Sequence, residues 1–298
     1  MNNIHSEKIY LGPRDASFKA LITNLLTRGK LKPKYIELLT SEENMKQYDV
    51  AFTAASANDK ENYEVYEQIG DLAANKFIVG YSYRRFPQLY CPLGVKIVAR
   101  LRINYGSKKS FSNIAMNLGF WDYITCAEEG IRKGVKYRNK NREDLLEDCL
   151  ESFLGCTEYL LDKSYTIGVG YAIVYDIMKS IFDDISISLK YTDLYDAKTR
   201  LKELIDTFQS ELGTVVYINT REGLTVESVI YRVPPGVSSK IIKSGDMRLP
   251  NPSWLSIATG NASKQDKAEQ MASERALKIL NDTGWVKKIP DEYHLFCK

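Results

Sequence analysis

Glu64, Glu67 and Asp71 follow i, i+3, i+7 spacing, and on a helix that arrangement puts three carboxylates on one face. Asp148 and Glu151 repeat the i, i+3 relation on a second strongly patterned stretch. Carboxylates brought face to face repel, so two such stripes make sense together when a divalent cation neutralises them, and hard Mg²⁺ takes oxygen ligands of this kind. Small residues accompany the acids where a close helix approach needs them: Gly70, Ala73 and Ala74 on the first stretch, Ser152 and Gly155 on the second. A plainer reading stands beside this one. Asp144, Glu147, Asp148, Glu151, Glu158 and Asp162 make one acid-rich helix, and acid-rich helices are commonly solvated faces. Spacing alone does not choose between Asp144/Glu147 and Asp148/Glu151.

The elements that must position these acids are helical. Asp15 to Leu26 has helical apolar spacing, and Thr40-Ser41-Glu42-Glu43 reads as a capping box, Thr40 paired with Glu43. Glu64 to Gly80 continues the helical character, Pro87 and Pro92 punctuate it, and Val95 to Asn104 and Ser110 to Leu118 supply two more helices. Asp144 to Leu161 carries Leu146, Leu150, Phe153 and Leu154 on one side, and Ala172 to Phe182 follows. No alternating pattern of useful length precedes about residue 186, so this first part is expected to be all-α. A connector, Ser186 to Tyr195, then leads to an N-cap at Asp196 and a helix carrying Leu201, Leu204, Ile205, Phe208 and Leu212, with Gly213 past its end. Thr214 to Asn219 and Val226 to Val233 read as strands around Arg221-Glu222-Gly223, Ser253 to Thr259 as a third, and Lys267 to Leu280 as a closing helix. The segment from Pro234 to Pro252 reads as a long, mobile loop.

Composition bounds the function classes. The chain has 298 residues, 44% hydrophobic and 27% charged, with 18 Gly and 9 Pro, which excludes collagen-like, low-complexity and mostly disordered classes and suggests two domains. No apolar run is long enough to span a bilayer, and Met1 to Lys8 holds no signal-peptide core, so an intracellular, cytoplasmic protein without a membrane partner is expected. Cys91, Cys126, Cys149, Cys156 and Cys297 are scattered and lack a CxxC pair, which indicates neither a disulfide framework nor a thiolate zinc site. His5 and His294 are the two histidines, one near each end, so chemistry should run on carboxylates, lysines or tyrosines rather than on a His-based triad. Gly168-Val169-Gly170 resembles the start of a dinucleotide loop, but position 173 is Ile and no strand precedes it, so a helix N-terminus is expected there and no organic cofactor.

The residues themselves resemble a family. Glu64-Val65-Tyr66-Glu67-Gln68-Ile69-Gly70-Asp71 looks like the signature ERLEFLGD of ribonuclease III, keeping both glutamates, the glycine and the aspartate. Ala51-Phe52-Thr53-Ala54-Ala55-Ser56 resembles the family's ALTHxS segment, Tyr83-Arg84-Arg85-Phe86-Pro87 its YRRFP turn, and Asp148 to Gly155 its DxxEALIG helix, in order across about residues 38 to 162. The resemblance implies that Glu67, Asp71, Asp148 and Glu151 are the catalytic and metal-binding carboxylates and that Glu64 supports them. The chain departs from the pattern at Val65 and Tyr66 for Arg-Leu, Gln68 for the aromatic, Leu72 for the serine, and Ala54 for the histidine. These departures fall on substrate-side details and dimer packing.

The second part resembles a double-stranded-RNA-binding domain in its α-β-β-β-α order, and Asp196 to Leu204 is similar to the opening DPKTRLQEL. By that resemblance Thr199, Lys202 and Glu203 would face a minor groove, and Ser263, Lys264 and Lys267, ahead of or beside Ala268-Glu269-Gln270, would meet phosphates. Residues 196 to 298 hold 15 Lys and Arg against 13 Asp and Glu, so modest affinity with strong salt sensitivity is expected. The expectation is therefore a multidomain protein: an all-α ribonuclease III endonuclease domain over residues 1 to 185, then a double-stranded-RNA-binding domain over 196 to 298 with a short C-terminal tail. Its implied activity is Mg²⁺-dependent cleavage of double-stranded RNA by a homodimer, with Mn²⁺ as a substitute ion and products carrying 5′-phosphate and 3′-hydroxyl ends. The rival is a catalytically inactive protein that sequesters duplex RNA.

Overall fold

The computed structural model describes residues 9–127, 142–244 and 247–296; His5, Cys297 and the Met1 to Lys8 segment lie outside the described residues. The chain divides into two compact units, Met1–Ile187 and Ser188–Lys298.

The first unit is built from eight helices among the described residues: α1 (Ala16–Arg28), α2 (Pro33–Leu39), α3 (Glu42–Ala51), α4 (Glu64–Arg85), α5 (Gly94–Tyr105), α6 (Lys108–Asn117), α7 (Arg142–Ser164) and α8 (Val169–Phe182). The expected helix positions recur, with two differences. The N-cap of α3 is Ser41, which accepts the N–H of Asn44 at 3.4 Å, because Thr40 closes α2 instead and donates its hydroxyl to the Ile36 carbonyl at 2.8 Å. The unit also contains one short strand pair, β1 (Ile9–Tyr10) against β2 (Cys126–Ala127), too brief to leave an alternating pattern.

At the centre, α4 and α7 pack along each other, surrounded by a core that includes Phe18, Phe52, Phe77, Phe111, Phe120, Phe153 and Phe182. The two arginines of the YRRFP stretch hold α8 in place. Arg85 donates to the Phe182 carbonyl at 2.8 Å and to the Tyr81 hydroxyl at 2.7 Å, and Arg84 lies over the Tyr175 ring. At the other end of α8, Asp162 accepts the N–H groups of Gly168 at 3.0 Å and Gly170 at 2.7 Å, which satisfies orphan donors of a helix start. Cys126, Cys149 and Cys156 are buried. No helix of the described residues is long and apolar enough to cross a membrane.

In the second unit a one-turn helix, Tyr191–Leu194, precedes α9 (Ala197–Thr207), which is capped by Asp196, whose carboxylate accepts the Thr199 N–H at 2.8 Å. The helix expected to run on to Leu212 breaks at Phe208, and a separate turn, Gln209–Leu212, follows. Gly213 at φ +78° then starts β3: a Cβ there would sit 2.0 Å from the Val233 carbonyl oxygen, so no other residue fits. Strands β3 (Thr214–Glu222) and β4 (Thr225–Val233) form an antiparallel hairpin whose two-residue turn is Gly223-Leu224, later than expected because β3 stays paired through Glu222.

The largest correction is to the expected loop, which carries secondary structure. Residues 234–252 contain an antiparallel strand pair, β5 (Ile242–Ser244) with β6 (Met247–Leu249), and Val237 and Ile241 pack with Val216, Ile218, Tyr231, Val233 and Trp254. The Trp254 indole donates to the Ser238 carbonyl at 3.0 Å, so the ring is buried with its polar atom satisfied. The apolar outer face of the sheet is what Val237 and Ile241 pack against. Strand β7 (Leu255–Ala262) completes the order β3-β4-β7, and α10 (Gln265–Asp282) and a tail helix α11 (Asp291–Phe296) follow. The other sheet face is covered by α9 and α10 through Leu201, Leu204, Ile205, Ala272, Ala276 and Leu280.

Candidate active site

Helix α4 begins at Glu64, so Glu64 and Glu67 lie in its first turn, where the helix dipole favours negative charge. Asp71 follows one turn on. What brings these acids to those of α7 is a reciprocal pair of glycines. A Cβ on Gly70 would lie 1.7 Å from the carbonyl oxygen of Glu151, and one on Gly155 would lie 2.0 Å from that of Tyr66. The helices therefore touch backbone to backbone, with buried Ala73 and Ala74 beside the contact.

That approach gathers Glu67, Asp148 and Glu151, whose candidate ligand oxygens all lie within 4.8 Å of one another. Glu64 and Asp71 stand outside this trio and line the same cavity of about 720 Å³, together with Gln68, Lys108 and Glu147. Asp71 accepts a hydrogen bond from the Asn75 amide at 2.7 Å. Asp148 and Glu151 are 5% and 7% exposed, although they are acids of an acid-rich helix. Burial pushes the Glu151 carboxyl up to about 9, and Asp71, Glu147, Glu67 and Asp148 reinforce the effect. Asp144 lies elsewhere in the local network, hydrogen-bonded to Lys108, which also approaches Glu147 at 3.5 Å.

Three carboxylates converge here, Asp148 and Glu151 buried and Glu67 partly so, their negative charge needs a counter-ion, and their donor atoms are all hard oxygens. The set fits a hard divalent cation such as Mg²⁺ or Mn²⁺. Two residues of this neighbourhood escape the sequence reading. Tyr63, fully buried, donates its hydroxyl to Asp148 Oδ2 at 2.7 Å, and Lys108 reaches the cavity from the start of α6. Neither belongs to an acidic stripe. The one available signal was an aromatic residue directly ahead of the first glutamate.

In the second unit, Thr199 and Lys202 lie on α9 beside a shallow cavity that Asp196, Lys198 and Tyr217 also line, and Lys202 pairs with Asp206 at 3.0 Å. Glu203 is engaged within the unit, accepting from the Tyr191 hydroxyl and the Lys287 ammonium. Ser263, Lys264 and Lys267 are exposed at the start of α10. The starts of α9 and α10 are joined by Lys198, which the sequence reading passed over. Its ammonium bonds Glu269 and its N–H donates to Gln270 at 3.3 Å. Glu269 is 4% exposed and also accepts from Asn219 at 2.7 Å and Gln265 at 2.8 Å. Burial alone would raise its carboxyl, but these donors outweigh burial and hold it below the usual range.

Residues 64–160 match the family model described as the ribonuclease III domain. The chain is 37% identical over 308 aligned positions to a protein of Invertebrate iridescent virus 6 named as a ribonuclease 3, covering 99% of this chain and 98% of that one. It is 40% identical over 270 positions to one of Frog virus 3 named likewise, covering 90% of this chain and 64% of the relative's length. A bacterial relative, the ribonuclease 3 of Limosilactobacillus fermentum, is 30% identical over 236 positions, covering 77% of this chain and 88% of that one.

Proposed function

Because the chain belongs to the ribonuclease III family and is an endoribonuclease of that type, we propose that it cleaves double-stranded RNA with a divalent cation held by Glu67, Asp71, Asp148 and Glu151, Glu64 supporting them. The observation that carries this reading is the convergence of Glu67, Asp148 and Glu151 where Gly70 and Gly155 let α4 and α7 touch. Mg²⁺ is the expected ion and Mn²⁺ a substitute. When bound, such an ion lowers the pKa of a coordinated water and offsets charge at a phosphate. The chain's own contributions are to hold the acids at fixed separation, to keep Asp148 and Glu151 out of bulk water, and to open the cavity on the side lined by Glu64, Gln68 and Asp71. Products would carry 5′-phosphate and 3′-hydroxyl ends.

The same reading covers the rest of the chain. A catalytic domain over residues 1 to 185 would be followed by a double-stranded-RNA-binding domain over 196 to 298, supported by the three-stranded sheet with two helices on one face. Thr199, Lys202 and Glu203 on α9, with Ser263, Lys264 and Lys267 at α10, would meet the duplex. One acidic centre per chain implies a homodimer to cut both strands. Val65 and Leu72, 69% and 68% exposed on α4, are apolar residues that a second copy would cover.

The test is end-labelled long duplex RNA incubated with the protein in Mg²⁺, beside EDTA and Glu151→Gln, read on a denaturing gel. Short products are expected from the wild type. EDTA should abolish them, and Glu151→Gln should reduce the rate more than about 100-fold, since even substitutions behind a ligand cost 10- to 100-fold. RNA left intact but shifted on a native gel would instead indicate a sequestering protein.

A further inference from the structure

Tyr63 touches both halves of the acidic site without belonging to either stripe. It is the residue from which α4 starts: its carbonyl accepts the Glu67 N–H at 2.8 Å, and its own N–H donates to the Thr53 carbonyl at 3.0 Å. Its ring is buried, and its hydroxyl crosses to α7 to donate to Asp148 Oδ2 at 2.7 Å. Backbone bonds thus place the phenol from the side of α4, and the phenol holds a carboxylate that belongs to α7. A buried hydroxyl and a buried carboxylate each lose heavily if the other moves away, so the pair fixes itself.

The contrast with Lys108 sharpens the role. Asp144 and Glu147, next to the converging trio, share the one Lys108 ammonium, which offsets one of their two charges. Asp148 accepts from the Tyr63 hydroxyl, and a neutral donor of this kind orients a carboxylate without itself cancelling the charge. We propose that Tyr63 is a positioning residue whose hydroxyl sets the plane of the Asp148 carboxylate in advance of cation binding, and so sets the affinity of the site for a divalent ion. The proposal rests on the reading of Glu67, Asp148 and Glu151 as ligands of that ion.

The experiment is a titration of the full chain with Mn²⁺ alone, free ion read by its electron paramagnetic resonance signal, for wild type, Tyr63→Phe and Glu151→Gln. Phenylalanine keeps the ring and removes the hydroxyl. Tyr63→Phe is expected to bind Mn²⁺ about 10-fold more weakly, at the lower end of what outer-shell partners contribute, with kcat little changed once Mn²⁺ saturates. Affinity equal to wild type in the folded variant would overturn the proposal, and so would a lower melting temperature with unchanged affinity, which marks a purely structural hydroxyl. A wild type that binds no Mn²⁺, or a Glu151→Gln that binds as well as wild type, would remove the cation site itself and this proposal with it. Should Tyr63→Phe not fold, 4-fluorophenylalanine at position 63 fills the hydroxyl's volume without donating, and the same weakening is expected.

Discussion

At the scale of single residues, Glu151 carries the clearest electrostatic signature. Its carboxyl is raised from 4.5 to about 9, first by burial and then by Asp71, Glu147, Glu67 and Asp148. Between those two values the folded chain keeps a proton that the unfolded chain has released. The stabilising contribution is therefore complete below about 4.5 and is lost as pH rises toward about 9. In EDTA the wild-type melting temperature should fall across that window more steeply than that of Glu151→Gln, whose amide does not ionise. Adding Mg²⁺ at the alkaline end should raise the wild type and leave the variant nearly unmoved, because the ionised carboxylate, and not the amide, takes up the cation. Parallel melting curves for the two proteins would contradict this account of Glu151. The stripe to which Glu151 belongs was legible from i, i+3 spacing. Tyr63 and Lys108 were not, since their bonds to Asp148 and Asp144 span 85 and 36 residues and depend on helices that only packing brings together.

At the scale of elements, the crossing of α4 and α7 decides whether a site exists. Gly70→Ala places a methyl 1.7 Å from the Glu151 carbonyl oxygen, a contact with backbone rather than with a flexible side chain. The helices must part, and the expected loss is at least the ~1–3 kcal/mol typical of overpacking, read by urea unfolding, with activity falling further than stability. Gly80→Ala on the same helix is the control: its nearest neighbour is the end of the Arg84 side chain at 3.1 Å, which can swing aside. The sequence displayed Gly70 and Gly155 as small residues in the right places, but not that they face each other. A related shortfall explains the segment 234–252. Its Pro, Gly and Ser content reads as loop, while Val237 and Ile241 pack with Val216, Ile218 and Trp254 on a sheet face that no local pattern describes as covered.

At the scale of the whole molecule, the proposed duplex cleavage requires two centres on one substrate, and the described residues of a 34.0 kDa chain hold one. Light scattering at micromolar concentration should give twice the chain mass, and Leu72→Glu should return it to one, because a charge placed in a buried apolar contact is costly. A wild-type monomer under those conditions would count against paired cutting. The division into two units was legible from the polar and aromatic connector Ser186 to Tyr195, after which alternating patterns first occur. The one-turn helix Tyr191–Leu194 in the connector was not, being built around aromatic contacts with Tyr195 and Tyr293, the latter from the distant tail.

The glycine crossing has a consequence for how the site fails. An interface made of side chains can repack by changing rotamers, so its geometry drifts with temperature and tolerates gradual loosening. Where backbone rests on backbone, as at Gly70 and Gly155, there are no rotamers to exchange. The separation of the carboxylates should stay nearly constant on heating until the helices part altogether, so that cation affinity ends abruptly at the melting transition instead of fading ahead of it.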